Sequence, residues 1–543
     1  MTEPIRVAFV SLGCAKNLVD SEKMLGQLAE SGCAITADED DAHVMVINTC
    51  GFLSASREEA VGVISDAVAL KERGTLRRVV VAGCLVQRDG ESLLERVPGI
   101  DALVGVNNRD DIVRAVTDAA AGATPASAKI ATAAGAGIPS PAGARIPSRT
   151  GSRGIPIPRA SAARRAERDS RETGDENGFS SQPSETGDEN GFSSQHDSSQ
   201  QDSSQQVDTY LGDYHPYINL DTARLRITPR HYAYLRISEG CNQKCTFCTI
   251  PSIRGPMHCK PPETVLAEAR ELVSDGAVEL NLIGQDTTSY GEDIGYTPGL
   301  AGLLRELDRV DGAEWIRLMY VYPSVFTDAM IDAIAECERI VKYIDIPLQH
   351  INDRVLKAMH RRVTRAQTET LLGKLRDRIP GVSIRTTLIA GFPGETDAEF
   401  AELVSFVREF GFDALGVFAY SQEPETPAGR MKHQLPESLK RERVDALMLA
   451  QQEVAFARAE SFVGRTFEVL IDGPHAKAEV GNGRGAAARQ PARHAGQAPE
   501  VDSLTYLRGA KQRSGSFCTV RCTARSGYDL IAVPTRHALT VVA

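Results

Sequence analysis

The sequence predicts an α/β multidomain protein: an open parallel sheet at the N-terminus, a central partial (β/α)6 barrel and a small C-terminal β-barrel. Three observations predict it. Short β-branched runs alternate with helix-period stretches over residues 1–118 and again over 230–461, the pattern of parallel sheets covered by helices. Between them, 119–229 is a low-complexity segment. The last stretch, 462–543, loses helical period and breaks into short strands separated by glycine turns, as small barrels do.

In the first domain, "RVAFVSLGC", "HVMVINTC" and "RVVVAGC" read as buried strands. "KNLVDSEKMLGQLAESG" and "SASREEAVGVISDAVALKERG" between them have helical spacing. The segment 119–229 is rich in Ala, Gly, Pro and Ser, and repeats "ETGDENGFSSQ" at 172–182 and 185–195 and "DSSQQ" in tandem at 197–206. It has too little apolar surface to offset its ordering entropy, so it reads as a disordered, expanded linker without chemistry. Over 230–461 the strands are "YAYLRIS", "VELNLIG", "WIRLMYVYP", "YIDIPLQ", "IRTTLIAGF" and "ALGVFAYS", and six βα units suit an open barrel better than a closed eightfold one. In the final domain "TFEVLIDG", "LTYLRG", "SFCTVRCTA" and "YDLIAV" are strands, and a polar insert over 478–500 interrupts them.

A net charge of -11 argues against general nucleic-acid coating and against binding an anionic membrane surface. The chain opens without a signal-peptide pattern and holds no apolar run of ~18 residues. The expected location is the cytoplasm, with no membrane partner. In a reducing compartment the odd count of eleven cysteines points to metal ligands rather than disulfides.

Two groups of cysteines stand out. Cys241, Cys245 and Cys248 form C-x3-C-x2-C at the end of the first barrel strand, where sites of βα barrels are built. Zinc would want a fourth ligand, for which Cys259 is the candidate. An iron–sulfur cluster held by three thiolates, with one iron open, is the alternative. Cys14, Cys50 and Cys84 each terminate one strand of the first domain, so a parallel sheet would bring them to one crevice. They read either as three buried small residues or as the ligands of a second cluster.

The C-x3-C-x2-C loop, with Phe247 before its last cysteine and six βα units behind it, resembles the radical S-adenosylmethionine enzymes. The second triad and the terminal barrel, which is similar to a TRAM domain, narrow the resemblance to the methylthiotransferases. "SLGCAKNLVDSE" (11–22), "YLRISEGCNQKCTFCTIPSIRG" (234–255) and "IDGPHA…APEVDSLTYLRG" in the barrel resemble the RimO-type branch, which modifies an aspartate β-carbon of small-subunit ribosomal protein twelve. The sister branch modifies an adenosine of transfer RNA. The resemblance implies two 4Fe-4S clusters, on Cys241/Cys245/Cys248 and on Cys14/Cys50/Cys84, with S-adenosyl-L-methionine on the open iron of the first. It implies radical removal of a hydrogen from the aspartate β-carbon and insertion of a methylthio group from the second cluster. It also implies ribosomal protein twelve as partner, free or on the ribosome, and an electron donor such as flavodoxin or ferredoxin. A rival of another class is a non-enzymatic iron–sulfur or zinc scaffold that binds RNA.

Residues 464–543 carry eleven Lys/Arg and six Asp/Glu, a net of +5, so the basic barrel also offers contact to RNA. Gly391 and Gly394 of "IAGFPGE" permit close backbone approach, and the resemblance makes S-adenosylmethionine the ligand. Gln285 of "IGQD" is a candidate for its amino group. "YPS" (322–324) and "PLQH" (347–350) end strands and line the cavity, with His350 as a lining residue. Cys33, Cys259 and Cys337 read as packing or surface residues, and Cys518 and Cys522 share one face of a barrel strand.

Overall fold

The computed structural model describes residues 3–117, 207–212, 220–474, 489–509 and 511–535. Each predicted run of the first domain is a strand: β1 (Arg6–Ser11), β3 (Val44–Thr49) and β4 (Arg78–Gly83). With β2 (Ala34–Thr36), β5 (Ala102–Val104) and β6 (Asp208–Tyr210) they form a six-stranded parallel sheet in the order β2-β1-β3-β4-β5-β6. All six residues of β3 and of β4 are buried, because helices cover both faces. On one face α1 (Ala15–Glu30) and α5 (Ile112–Thr117) pack Met24, Leu28 and Ala115 on Val44, Val46 and Val80. On the other, α2 (Ser54–Glu72), α3 (Cys84–Asp89) and α4 (Ser92–Arg96) pack Ile64, Leu85 and Leu93 on Met45, Ile47 and Val79. The chain reverses direction across the sheet between β1 and β3, which opens a crevice outside their carboxyl ends.

The linker expectation over 119–229 falls largely outside the described residues, but its last part is structured. β6 adds the edge strand by pairing with β5. Asp221 is buried and chelated by Arg236 and Lys260. That end of the segment carries no local signal of structure because its polar residues find their partners only in distant parts of the chain.

The central domain begins with β7 (Tyr232–Arg236), β8 (Ser238–Glu239), α6 (Ile250–Arg254) and β9 (His258–Cys259). It continues as α7 (Pro262–Ser274), β10 (Glu279–Ile283), α8 (Gly299–Leu307), β11 (Trp315–Leu318), α9 (Asp328–Glu336) and β12 (Ile340–Asp345). Then come α10 (Asp353–Ala358), α11 (Arg365–Arg378), β13 (Ser383–Ala390), α12 (Asp397–Phe410), β14 (Ala414–Ala419) and the long α13 (Glu437–Ser461). The six predicted strands lie in chain order, β7-β10-β11-β12-β13-β14, all parallel. β7 and β14 remain edges, so the barrel is partial, as expected. One large apolar cluster fills the space between the sheet and its helices.

The C-terminal barrel closes as β15-β16-β17-β19-β18 from β15 (Thr466–Ile471), β16 (Gln490–His494), β17 (Thr505–Leu507), β18 (Phe517–Ser526) and β19 (Asp529–Pro534). The insert expected over 478–500 is thus corrected: its second half is barrel wall. "QPARH" hides its strand character because its polar side chains are buried in hydrogen bonds. Gln490 donates to the Gly473 and Gln512 carbonyls, and Arg493 pairs with Asp472 and Glu279. Among the described residues, no helix is long and apolar enough to cross a membrane.

Candidate active site between two cysteine loops

The first cysteine set sits at the crevice of the N-terminal sheet. Gly13 turns the chain at φ +97 so that Cys14 caps α1, and a Cβ on Gly13 would lie 2.8 Å from the Cys50 Cβ. Gly83, at φ +98, opens α3 on Cys84, and a Cβ there would lie 2.2 Å from Asn48 Oδ1. Only glycine permits both turns. Asn17, one helical turn into α1, ties the three loops together. Its Nδ2 donates to the Leu12 carbonyl at 2.8 Å and the Thr49 carbonyl at 2.9 Å. Its Oδ1 lies 3.6 Å from the Cys84 thiol and 3.1 Å from Arg254 Nη2. Cys14 is exposed, Cys50 half-buried and Cys84 buried. Burial pushes the Cys50 thiol up and the Cys84 thiol up to about 12, with Arg254 opposing the shift.

The second set lies on the loop after β7 and β8. The Cys241 N–H donates to the Gly255 carbonyl at 3.2 Å, and the Cys248 Sγ accepts from the Ile250 N–H at 3.4 Å. Thr246 is held by the Ala358 and Met359 carbonyls, and Phe247 packs among Val355, Met359, Phe392 and Tyr420. Arg361 lies 4.0 Å over the Tyr322 ring and reaches to 3.7 Å from the Cys245 Sγ. Burial raises Cys241 to about 11 and Cys248 to about 12.

Among the described residues, no three His, Cys, Asp or Glu side chains already converge on a metal position. The thiols of each set nonetheless lie within electrostatic reach of one another. Cys50, Cys84, Cys241 and Cys248, which burial pushes up, favour the neutral form until a bound cation compensates their charge. Sulfur-only donor sets suit iron–sulfur clusters, so the residues present fit that group at both loops.

A buried charge network joins the two loops. Arg254, on α6 just after the second set, reaches Cys84 Sγ at 3.2 Å, Asp20 Oδ2 at 2.9 Å and Glu239 Oε2 at 2.9 Å. Glu239, two residues before Cys241, also binds Arg236. Arg236 and Arg109 pair with Asp20, and Arg236 and Lys260 with Asp221. A second link comes from Glu423 of the central domain. It pairs with Arg57 and Arg88 of the first, and Arg88 donates to the Gly51 carbonyl beside Cys50.

Gln285 lies in this region, but its amide nitrogen is committed to Glu239 at 2.6 Å, leaving Oε1 buried and unpartnered among the described residues. Gly391, at φ +78, ends β13 where a Cβ would meet the Lys440 side chain at 2.5 Å. Its N–H points to the buried Glu395 carboxylate. Gly394, at φ +72, donates its N–H to the His433 carbonyl. Packing against Lys440 therefore already demands glycine at 391, while at 394 only the positive φ favours it. Neighbouring Phe392 belongs to the apolar cluster against which Phe247 packs, which brings this turn toward the cysteine loop. His350 is 1% exposed, accepts from the Asn352 N–H and faces Glu395 at 3.5 Å. Cys259 is fully buried in β9 and accepts from the Gly291 N–H. Sequence reasoning missed Asn17, Asp20, Arg254 and Glu239, although all four lie inside motifs quoted from it. Arg361 and Glu423 gave no local signal.

A βα sheet with a C-x3-C-x2-C loop at its first strand defines a radical S-adenosylmethionine protein, and residues 235–407 match the model of the radical SAM superfamily. Residues 6–105 match uncharacterized protein family UPF0004, and residues 463–534 match the TRAM domain. The chain is 38% identical over 526 residues to the ribosomal protein uS12 methylthiotransferase RimO of Anaeromyxobacter sp. (strain K), covering 97% of this chain and 92% of that one. It is 36% identical to the protein of the same name from Geobacter sulfurreducens, covering 97% and 98%. The chain belongs to the RimO family of radical SAM methylthiotransferases.

Proposed function

We propose that this chain attaches a methylthio group to the β-carbon of an aspartate in small-subunit ribosomal protein uS12. The observation that carries the reading is the pairing of two three-thiol loops across one buried network, with Arg254 touching Cys84 and Glu239 at once. Full-length similarity to proteins named for uS12 favours this substrate over transfer RNA. Cys241, Cys245 and Cys248 would hold one 4Fe-4S cluster, and Cys14, Cys50 and Cys84 a second. Such clusters, with S-adenosyl-L-methionine, supply the reducing electron, the hydrogen-abstracting radical and the sulfur that an unactivated C–H bond requires.

The chain's own residues position and insulate that chemistry. Arg361 and Tyr322 orient the Cys245 side chain. Phe247, Met359 and Phe392 exclude water from one side of the loop. Arg254 sets a fixed positive charge against Cys84. Gln285 and the Gly391–Gly394 turn flank the place where S-adenosylmethionine would bind. The barrel stands close to the interior: the hydroxyls of Tyr232 and Tyr234, on β7, both donate to Glu500. It would present the ribosomal protein, and its basic surface would touch RNA. A flavodoxin or ferredoxin in the cytoplasm would supply electrons. The functional units would be 1–118, 230–461 and 462–543, with the end of the 119–229 segment folded against the first two.

Anaerobic reconstitution should give about eight irons per chain, and Cys50→Ala about half of that. Cys50→Ala should still cleave S-adenosylmethionine reductively but insert no sulfur, read by deoxyadenosine release against product mass. Mass spectrometry of a deletion strain should show loss of methylthio-aspartate from uS12. Loss of methylthio-adenosine from transfer RNA instead would reassign the substrate.

A further inference from the structure

Lys16 follows Cys14 by two residues and is 7% exposed. Its ammonium stands 3.1 Å over the ring of Tyr320, and among the described residues it makes no hydrogen bond or ion pair. Tyr320 is itself locked in place. It holds φ +60, its N–H donates to Asp345 at 3.2 Å, and its carbonyl accepts from Thr287. Burying an ammonium without a counter-ion costs several kcal/mol, and a cation–π contact returns roughly 2 kcal/mol or less.

The acidic groups around Lys16 are already taken. Glu239 is bound by Arg236, Arg254 and Gln285. Asp345 is bound by Arg385 and the Tyr320 N–H, and Glu500 by Tyr232 and Tyr234. The first turn of α1 carries no acidic residue. No carboxylate of the described residues is therefore free to serve as counter-ion to Lys16, and its nearest acidic neighbour is the Cys14 thiol. Lys16 lies on α1 beside the Cys14/Cys50/Cys84 loops, against Tyr320 just beyond β11, so a group that meets its ammonium stands near Cys14.

We propose that Lys16 is the specificity-determining residue that binds the side-chain carboxylate of the substrate aspartate, holding its β-carbon between the two cysteine loops. This rests on the proposed function above. An ammonium on a flexible stem suits a single carboxylate oxygen. Tyr320 fixes where that ammonium points. An asparagine at the same position of the substrate would leave the cation uncompensated and would be rejected.

The test uses reconstituted holoenzyme and purified ribosomal protein uS12 with Asp or Asn at the modified position. Methylthiolation of the Asp protein by wild type is confirmed first; its absence would sink the proposed function and this inference with it, whereas the binding preference that follows tests Lys16 alone. Affinity is then measured by fluorescence anisotropy. Wild type should prefer Asp over Asn by at least about tenfold. Lys16→Met should abolish that preference by weakening Asp binding, with iron content and visible absorbance unchanged, and Lys16→Arg should restore part of it. Retained Asp preference in Lys16→Met would overturn the proposal. So would loss of half the iron in that variant, which would assign Lys16 to the cluster instead.

Discussion

At the scale of single residues, two arginines share one role in different settings. Arg361 stacks on Tyr322 and faces Cys245. Arg254 is 2% exposed and divides its donors among Cys84, Asn17, Asp20 and Glu239. Each places a permanent positive charge beside a cysteine side chain, and at Cys84 that charge opposes the upward shift that burial causes. Groups that orient or neutralise metal ligands from behind typically govern affinity by about 10–100-fold. Arg254→Gln should therefore speed iron release from the auxiliary site to a chelator by about that factor. The Cys241/Cys245/Cys248 site should release at the wild-type rate, and Asp20 and Glu239 would keep Arg236 as a partner. Equal loss from both sites would mean that Arg254 supports the fold rather than Cys84.

At the scale of elements, β16 shows how a polar strand is stabilised and what that implies for pH. His494 ends it, with its ring stacked on Phe462 at 5.0 Å and edge-on to Phe467 at 5.5 Å. Its Nδ1 accepts the Gly496 N–H, so the ring is neutral in this arrangement. Burial, then Arg317, Arg493 and Arg465, lower its pKa from 6.5 to about 3. A histidine lowered on folding binds its proton more readily in the unfolded chain. Its contribution is thus complete above pH 6.5 and is lost as pH falls from there toward 3. The drop in melting temperature between pH 7.5 and pH 5.5 should shrink in His494→Gln, and an unchanged drop would place the acid sensitivity elsewhere. β16 was also illegible in the sequence. Strands such as β3 and β4 announce themselves because most of their buried side chains are apolar. Gln490 and Arg493 are buried through hydrogen bonds and ion pairs to Gly473, Asp472 and Glu279, whose proximity no local pattern reveals. Asp221 and β6 escaped notice for the same reason. The two cysteine groups could be read as candidates because Cys14, Cys50 and Cys84 lie at strand ends and Cys241, Cys245 and Cys248 are close in sequence, whereas Lys16 acquires its meaning only when Tyr320, some three hundred residues later in sequence, meets its ammonium.

At the scale of the whole molecule, the terminal barrel is joined to the central sheet by a buried ion triad. Glu279 on β10 and Arg317 on β11 are both 0% exposed, and Arg493 on β16 is 1% exposed. Glu279 accepts from Arg317 Nε at 2.9 Å and from Arg493 Nη2 at 2.7 Å, which holds its carboxyl below the usual range despite burial. Arg317 also donates to the Ala495 carbonyl, and Asp502 meets Arg385, so the barrel is keyed to the concave side of the sheet. Removing one member of such a group strands the others, at a cost of about 3–5 kcal/mol. Replacing all members by apolar residues of similar size is often near neutral. The chain has one tryptophan, Trp315, and it packs edge-on to Phe517 of the barrel at 5.0 Å. Its fluorescence therefore reports this junction directly. In urea, Glu279→Gln should bring the tryptophan transition to lower denaturant than the far-ultraviolet circular dichroism transition, because the barrel detaches before the sheet unfolds. Glu279→Leu combined with Arg317→Met and Arg493→Met should bring the two transitions back together, since Asp472, the other partner of Arg493, keeps His231. Coincident transitions in Glu279→Gln would show that the apolar contacts of Trp315, Tyr343, Leu470 and Ala498 hold the barrel in place without the triad.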